Sequence, residues 1–155
     1  MLEKGDKVPR EVVVTDAEGN PASLADYKGK WVVLYFYPKD DTPGCTIEAK
    51  QFQDYSSKFR SLGVTVVGVS KDSERSHLKF AEKYGLSFVL WSDPNHQLME
   101  AFGVWQLKKM MGREYMGTVR ATFIIDGRGV IRKVFPSVTP KEHGKEVYEA
   151  LQTLL

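Results

Sequence analysis

Two stretches of the chain are apolar at nearly every position: Trp31-Val32-Val33-Leu34-Tyr35-Phe36 and Val64-Thr65-Val66-Val67-Gly68-Val69-Ser70. Continuous apolarity, rich in β-branched and aromatic residues, predicts strands buried on both faces. Between them, Phe52, Tyr55, Phe59 and Leu62 recur at steps of three and four, which predicts a helix over Pro43 to Leu62 stopped by Gly63. The same period predicts a helix over Asp72 to Tyr84, with Leu78, Phe80, Ala81 and Tyr84 facing inward and Gly85 ending it. Phe88-Val89-Leu90-Trp91 reads as a third strand, and Asn95 to Phe102 as a short helix ended by Gly103. Near the start, Val12 to Thr15 is a short strand closed by the turn Glu18-Gly19-Asn20-Pro21. Near the end, Thr122 to Asp126 and Val130 to Phe135 form a hairpin around Gly127-Arg128-Gly129. Thr139 as N-cap and Pro140 at the first helical position predict a last helix running to Leu154.

Alternating strands and helices ask for parallel pairing with covering helices, and the late hairpin asks for an antiparallel edge. The expected class is therefore α/β, a mixed central sheet with helices on both faces. Thioredoxin-like folds are one such arrangement. No repeat, low-complexity stretch or long linker divides the 155 residues, so residues 1–155 read as a single domain. A net charge of +2 gives no pull toward nucleic acid, and Lys108-Lys109 reads as a solvated face. No apolar run approaches the ~18 residues of a membrane span. The first residues, Met1-Leu2-Glu3-Lys4-Gly5-Asp6-Lys7, have no apolar signal core. A single Cys cannot form an internal disulfide, so the expected location is the cytoplasm.

That Cys, Cys45, changes the picture. It lies in Pro38-Lys39-Asp40-Asp41-Thr42-Pro43-Gly44-Cys45-Thr46, after a buried strand and where a helix begins. A thiol attacks as its thiolate, and free Cys titrates at about 8.5, so a reactive Cys needs a device that favours the anion. A helix N-terminus offers unpaired N–H groups and the positive end of its dipole. Thr42 is a good N-cap, Pro43 suits the first helical position, and Gly44 permits close approach of a backbone or small ligand. Cys45, Glu48 or Ala49, Phe52, Tyr55 and Phe59 then form one inward stripe, with Cys45 partly shielded at the helix mouth. A lone Cys is more often a small buried hydrophobe. A Pro, a Gly and two Asp at a strand-to-helix crossover make poor filler, which favours the reactive reading.

The string Pro38-x-x-x-Thr42-x-x-Cys45 resembles the active-site signature of peroxiredoxins. The longer run from Tyr37 to Ala49 is similar to the Q-type branch, also called bacterioferritin comigratory proteins. Ser76 to Leu86, Gly103-Val104-Trp105, Lys108-Lys109, Gly112, Tyr115-Met116-Gly117 and Arg120 to Asp126 resemble later segments of that branch, in the same order. The resemblance implies an antioxidant thiol peroxidase that reduces hydrogen peroxide and organic hydroperoxides through a sulfenic acid. It implies Cys45 as nucleophile, Thr42 orienting the peroxide, Pro38 shielding the thiolate, and Arg120 stabilising the thiolate and the polarised O–O bond. Gly44 and Glu48 complete the substrate-binding set, Glu48 as a positioner of arginine. By periodicity alone Arg120 would be a solvated strand end.

Many members of that branch carry a second Cys five residues after the first; here that position is Lys50. An intramolecular disulfide is thus impossible. The implied enzyme is a one-Cys type whose external reductant is thioredoxin, glutaredoxin or a small thiol, acting as a monomer with no cofactor and no metal. His77, His96 and His143 are widely spaced without a ligand pattern. The alternative is a redox sensor or oxidation relay that uses Cys45 stoichiometrically. A thiol–disulfide oxidoreductase is disfavoured by the absence of a C-x-x-C pair.

Overall fold

The computed structural model describes residues 1–155. The chain runs through β1 (Val14–Asp16), β2 (Pro21–Ala22), a 3-10 turn (Leu24–Tyr27), β3 (Trp31–Phe36), α1 (Pro43–Asp54), α2 (Ser56–Ser61) and β4 (Val64–Ser70). It continues through α3 (Glu74–Tyr84), β5 (Val89–Ser92), α4 (Gln97–Phe102), β6 (Trp105–Met110), β7 (Arg113–Thr118), β8 (Ala121–Ile125), β9 (Ile131–Phe135) and α5 (His143–Leu154). Seven strands form one mixed sheet in the order β2-β1-β5-β4-β3-β8-β9. The two apolar runs are its centre: β3 pairs in parallel with β4, and β4 with β5. The outer pairs are antiparallel, β3 with β8, β8 with β9, and β1 with both β5 and β2.

Successive side chains of β3 point to opposite faces, and each face has its own core. Leu34 and Phe36 join Val67, Val69 and Phe123 under Met99 and Phe102 of α4. Val33 and Tyr35 join Cys45, Ala49 and Phe52 of α1, Phe59 of α2, Phe80 of α3, and Val147 and Leu151 of α5. Helices therefore cover both faces, as the alternating pattern predicts.

Several boundaries differ from the sequence reading. The helix expected from Pro43 to Leu62 is broken at Tyr55, whose φ of −98° and ψ of 4° depart from helical values. The break precedes the Ser56-Ser57 pair, a weak helix-forming step. It lets the Tyr55 ring pack on Tyr148 of α5 at 5.7 Å while Phe52 and Phe59 stay in the core. The last helix begins at His143 rather than Pro140, behind Glu142 in the left-handed region (φ 65°). Pro140 is used elsewhere, at the mouth of the thiol site. The second helix starts at Glu74, with the Ser73 hydroxyl accepting from the Ser76 N–H. Its inward positions include His77 rather than Leu78, which is 46% exposed. The first strand is shifted to Val14–Asp16, where it reaches β5.

The β6–β7 hairpin was not predicted as strands. Leu107, Met110, Tyr115 and Met116 are all exposed, so its two strands lack an alternation that separates a buried from a solvated face.

Helix α1 packs against α5, and Gly144 of α5 lies tightly against Gln51 of α1. A Cβ there would lie 2.6 Å from the Gln51 carbonyl oxygen, a backbone atom that cannot swing aside. Gly144→Ala is expected to cost about 1–3 kcal/mol through overpacking, read as a lower urea midpoint with an unchanged slope.

Candidate active site

The site forms where three elements meet at the C-terminal end of β3. Ala121, the first residue of β8, pairs with Phe36, the last of β3. Arg120 therefore stands at the strand end from which the chain leaves to build α1. Thr42 occupies the N-cap position with extended backbone (φ −96°, ψ 156°), and Pro43 opens the helix. The first intrahelical acceptor is the Thr42 carbonyl, taken by the Thr46 N–H at 2.8 Å. The Cys45 N–H thus precedes the hydrogen-bonded ladder, as expected of a helix start.

Cys45 is only 2% exposed, deeper than the partly shielded position predicted. Arg120 reaches it and forks: Nη2 donates to Cys45 Sγ at 3.3 Å, and Nη1 donates to Glu48 Oε1 at 2.6 Å. The planar guanidinium is suited to hold two acceptors at once. Gly44 is what lets it approach, since a Cβ there would lie 3.2 Å from Arg120 Nη2 and 3.7 Å from Pro140 Cγ. Pro140 thereby forms a wall of the site, a role the sequence reading missed because Pro after Thr also fits a helix start.

Thr42 takes the cap position but not the capping bond. Its hydroxyl instead donates to the Lys39 carbonyl at 2.8 Å, which leaves the oxygen's lone pairs to accept from another donor. Pro38 lies half-buried at the end of β3. The structure thus joins Cys45, Glu48, Arg120 and Gly44 directly, while Thr42 and Pro38 belong to the adjoining loop and make no side-chain hydrogen bond to those four.

The electrostatics follow from burial. Glu48 is fully buried, and its Oε2 has no hydrogen-bond partner. Burial pushes its carboxyl up to about 7, against the opposing pull of Arg120. Burial also works against the Arg120 charge, yet Glu48 and the Cys45 thiolate together raise its pKa above the ordinary value. The two partners thus shift in ways that oppose each other. Glu48 is the yielding member, because a guanidinium keeps its proton throughout the accessible range. Lys108 of β6 is a second cation within electrostatic reach. Its pKa is lowered by partial burial and by Arg120, with Cys45 acting the other way. Nothing in its spacing marked Lys108 as a site residue.

The three histidines lie apart. His77 meets Asp40, His96 stacks on Trp105 with ring centroids 3.7 Å apart, and His143 meets Thr122 and Glu146. No group of three or more His, Cys, Asp or Glu side chains converges to hold a metal ion. No helix is long and apolar enough to cross a membrane.

Comparison with known proteins fits this geometry. The AhpC/TSA family profile matches residues 4–134. Peroxiredoxin Bcp of Bacillus subtilis (strain 168) is 50% identical over 153 residues, covering 99% of this chain and 95% of that protein. Peroxiredoxin Bcp of Escherichia coli (strain K12) is 41% identical over 142 residues, covering 92% and 90%. Among solved structures, a mutant of Xanthomonas campestris peroxiredoxin Q superposes with a TM-score of 0.93 at 33% identity, covering 99% of this chain and 100% of that one. A Xanthomonas campestris bacterioferritin comigratory protein, studied for alkyl peroxide reduction, superposes with a TM-score of 0.91 at 34% identity, covering 96% and 99%.

The raised Glu48 carboxyl has a measurable consequence. A group that titrates at 4.5 unfolded and about 7 folded holds its proton longer in the folded chain. Its effect on stability is therefore neutral below pH 4.5 and becomes a loss of about 3 kcal/mol as pH rises through 7. Glu48→Gln is expected to flatten this decline, whatever its effect on absolute stability, in urea unfolding series from pH 4.5 to 8.

Proposed function

The chain belongs to the AhpC/TSA family and is a thiol peroxidase of the peroxiredoxin type, and we propose that it works through Cys45 as its one reacting sulfur, with an external thiol as reductant. The observation that carries this reading is the Arg120 fork on a buried Cys45 beside a free helix-start N–H. The Cys45 thiolate attacks the terminal oxygen of a hydroperoxide. The O–O bond breaks, its electron pair leaves with the other oxygen, and that oxygen departs as water or an alcohol with the proton of the attacked oxygen. Cys45 is left as a sulfenate, which becomes the sulfenic acid on taking a proton from solvent.

Arg120 and the Cys45 N–H meet the negative charge as it spreads from sulfur onto the peroxide oxygens. The Thr42 oxygen accepts from the hydroperoxide O–H, since its own proton is held by Lys39. Gly44 leaves room for the substrate, Pro38 limits water, and Glu48 holds Arg120 in place. In the second half, an external thiolate attacks the sulfenic sulfur, water leaves, and a mixed disulfide forms. A second thiol releases Cys45 and carries away the disulfide. The chain's single Cys supports this route, because no internal thiol can take the first step.

Thioredoxin-type reductants serve this family; glutaredoxin or a small thiol are the other reductants we propose. The reading extends to a monomer, one domain over residues 1–155, in a cytoplasm where thiols stay reduced. No cofactor enters the scheme.

Steady-state peroxide consumption is expected only when a thiol is supplied, and none with Cys45→Ser. Catalytic turnover without any added thiol would overturn the one-Cys route. Single oxidation without turnover under thioredoxin, glutaredoxin and small thiols would favour the stoichiometric relay instead. Arg120→Ala is expected to slow Cys45 oxidation by about 100- to 1,000-fold in rapid mixing. An unchanged rate would remove Arg120 from the site.

Without an internal trap, the sulfenate stays open to a second oxidation. Repeated peroxide pulses are expected to cause a loss of activity that small thiols do not reverse, with two oxygens on Cys45 by mass spectrometry. Full recovery after each pulse would contradict this.

A further inference from the structure

We propose that His77 is a positioning residue for the peroxidase reaction: a buried imidazolium that, paired with Asp40, fixes the β3–α1 loop and so sets Pro38 and Thr42 against Cys45. The inference rests on the reading of Cys45 as the reacting sulfur. His77 is fully buried on α3 and shares no hydrogen-bond partner with Arg120's fork. Its Nδ1 lies 2.8 Å from Asp40 Oδ2, and its Nε2 lies 2.9 Å from the Trp91 carbonyl oxygen on β5.

The proton count follows from the partners. A carbonyl can only accept, so Nε2 carries a hydrogen. Asp40 already accepts from two other donors, the Tyr37 hydroxyl at 2.5 Å and the Ser76 hydroxyl at 2.8 Å, and with its proton on Asp40 the Tyr37 oxygen, 3.4 Å from Nδ1, can only accept from the ring. Burial, with Tyr35 and Asp40 nearby, holds the Tyr37 phenol well above its ordinary pKa, so Tyr37 remains a donor. A carboxylate taking two such bonds is satisfied as an anion, and the proton between it and Nδ1 belongs to the ring. The result is a buried, neutral pair of opposite charges with every polar atom on the His77 ring matched.

This pair grips the loop at its middle. The Asp40 N–H also donates to Asp72 Oδ2 at 2.8 Å, so Asp40 is tied to α3 and to the turn before it. Pro38 and Thr42 flank Asp40 two residues away on either side. The next residue, Asp41, sits in the left-handed region (φ 56°), which is uncommon for a residue with a Cβ. Both of its carboxylate oxygens are taken from α3, by Lys83 Nζ at 2.8 Å and Tyr84 Oη at 2.5 Å. Two consecutive aspartates thus fasten the loop to α3. Only the first does so out of solvent, where the bond is not weakened by water. Thr42 must meet the peroxide within a fraction of an ångström of its place, so the anchor acts on rate through position.

The test separates position from nucleophilicity. Reduced protein is mixed rapidly with hydrogen peroxide and, in parallel, with iodoacetamide, which needs the thiolate but not Thr42. Asp40→Asn and His77→Phe are expected to slow the peroxide reaction about 10- to 100-fold while alkylation barely changes, and the double variant is expected to be no slower than the slower single one. In the unaltered protein, long-range proton–nitrogen spectra at neutral pH are expected to show both His77 ring nitrogens protonated. A neutral-ring pattern, peroxide and alkylation rates that fall together, or an unchanged peroxide rate in Asp40→Asn would each overturn the proposal. If His77→Phe fails to fold, Asp40→Asn and the spectrum still decide it. Unaltered Cys45 that reacts with peroxide no faster than free cysteine would instead overturn the function on which this inference rests.

Discussion

The Arg120 guanidinium, bonded at once to Cys45 and Glu48, is the interaction on which the rest of the site depends. A sulfur that is 2% exposed has little water to stabilise its charge, so the protein must supply the counter-charge. Sheet topology makes that possible. Strand β8 runs antiparallel to β3, so its first residues stand where β3 ends and α1 begins. Arg120 reaches the thiol from a rigid strand end, and Glu48, one helical turn beyond Cys45, receives the second arm. One cation therefore faces two potential anions. With the Glu48 carboxyl pushed up to about 7, that residue can take a proton and leave the Arg120 charge to the sulfur.

The sheet's centre was legible because its physics is local in sequence. β3 and β4 are continuous apolar runs, the β8–β9 turn carries two glycines, and the Thr-Pro-Gly start of α1 announces itself. What escaped was set by contacts distant in sequence. The break at Tyr55 answers to Tyr148, and the late start of α5 answers to the use of Pro140 over Gly44. β6–β7 was invisible because most of its positions are exposed and its burial, confined to one end, does not alternate along the strands. In the site, Cys45 and its helix could be argued from residue types alone, whereas Arg120 came only from resemblance to a family. His77 looked like one histidine among three, and its significance lies in Asp40 and Trp91, which approach it only in the fold.

The cost of the site is concentrated on the same helix and the strand beneath it. Glu48 Oε2, Thr46 Oγ1, Gln51 Oε1 and the Tyr35 hydroxyl are buried without hydrogen-bond partners. Each such atom gives up about 1–3 kcal/mol relative to a satisfied one. Two of the four lie within three residues of Cys45, Gln51 is further along the same helix, and Tyr35 belongs to the strand beneath it in the same core. Tyr35 is kept neutral by that burial and by Glu48. A fold optimised for stability alone would not gather unpaired polar atoms there, and their placement beside the reactive sulfur is the pattern expected where function is weighed against stability.

Burial also divides the two halves of the catalytic cycle by size. A hydroperoxide is a small molecule, whereas a thiol carried on a protein must bring its sulfur within bonding distance of an atom that is almost wholly covered. In the one-Cys route proposed above, a protein reductant would therefore need more of the covering wall to move than a hydroperoxide does. The wall is unequal in strength. On the α3 side the loop is fastened by the buried Asp40–His77 pair and by Asp41 with Lys83 and Tyr84. The β6–β7 hairpin, whose Lys108 is within electrostatic reach of Cys45 and Arg120, is by contrast largely exposed and forms a separate two-stranded sheet outside the main one. Local opening draws on the least-buried elements of a fold. In the proposed route, the loop that carries Pro38 and Thr42 is thus the more firmly held part of the wall, and the hairpin is the part with less to hold it.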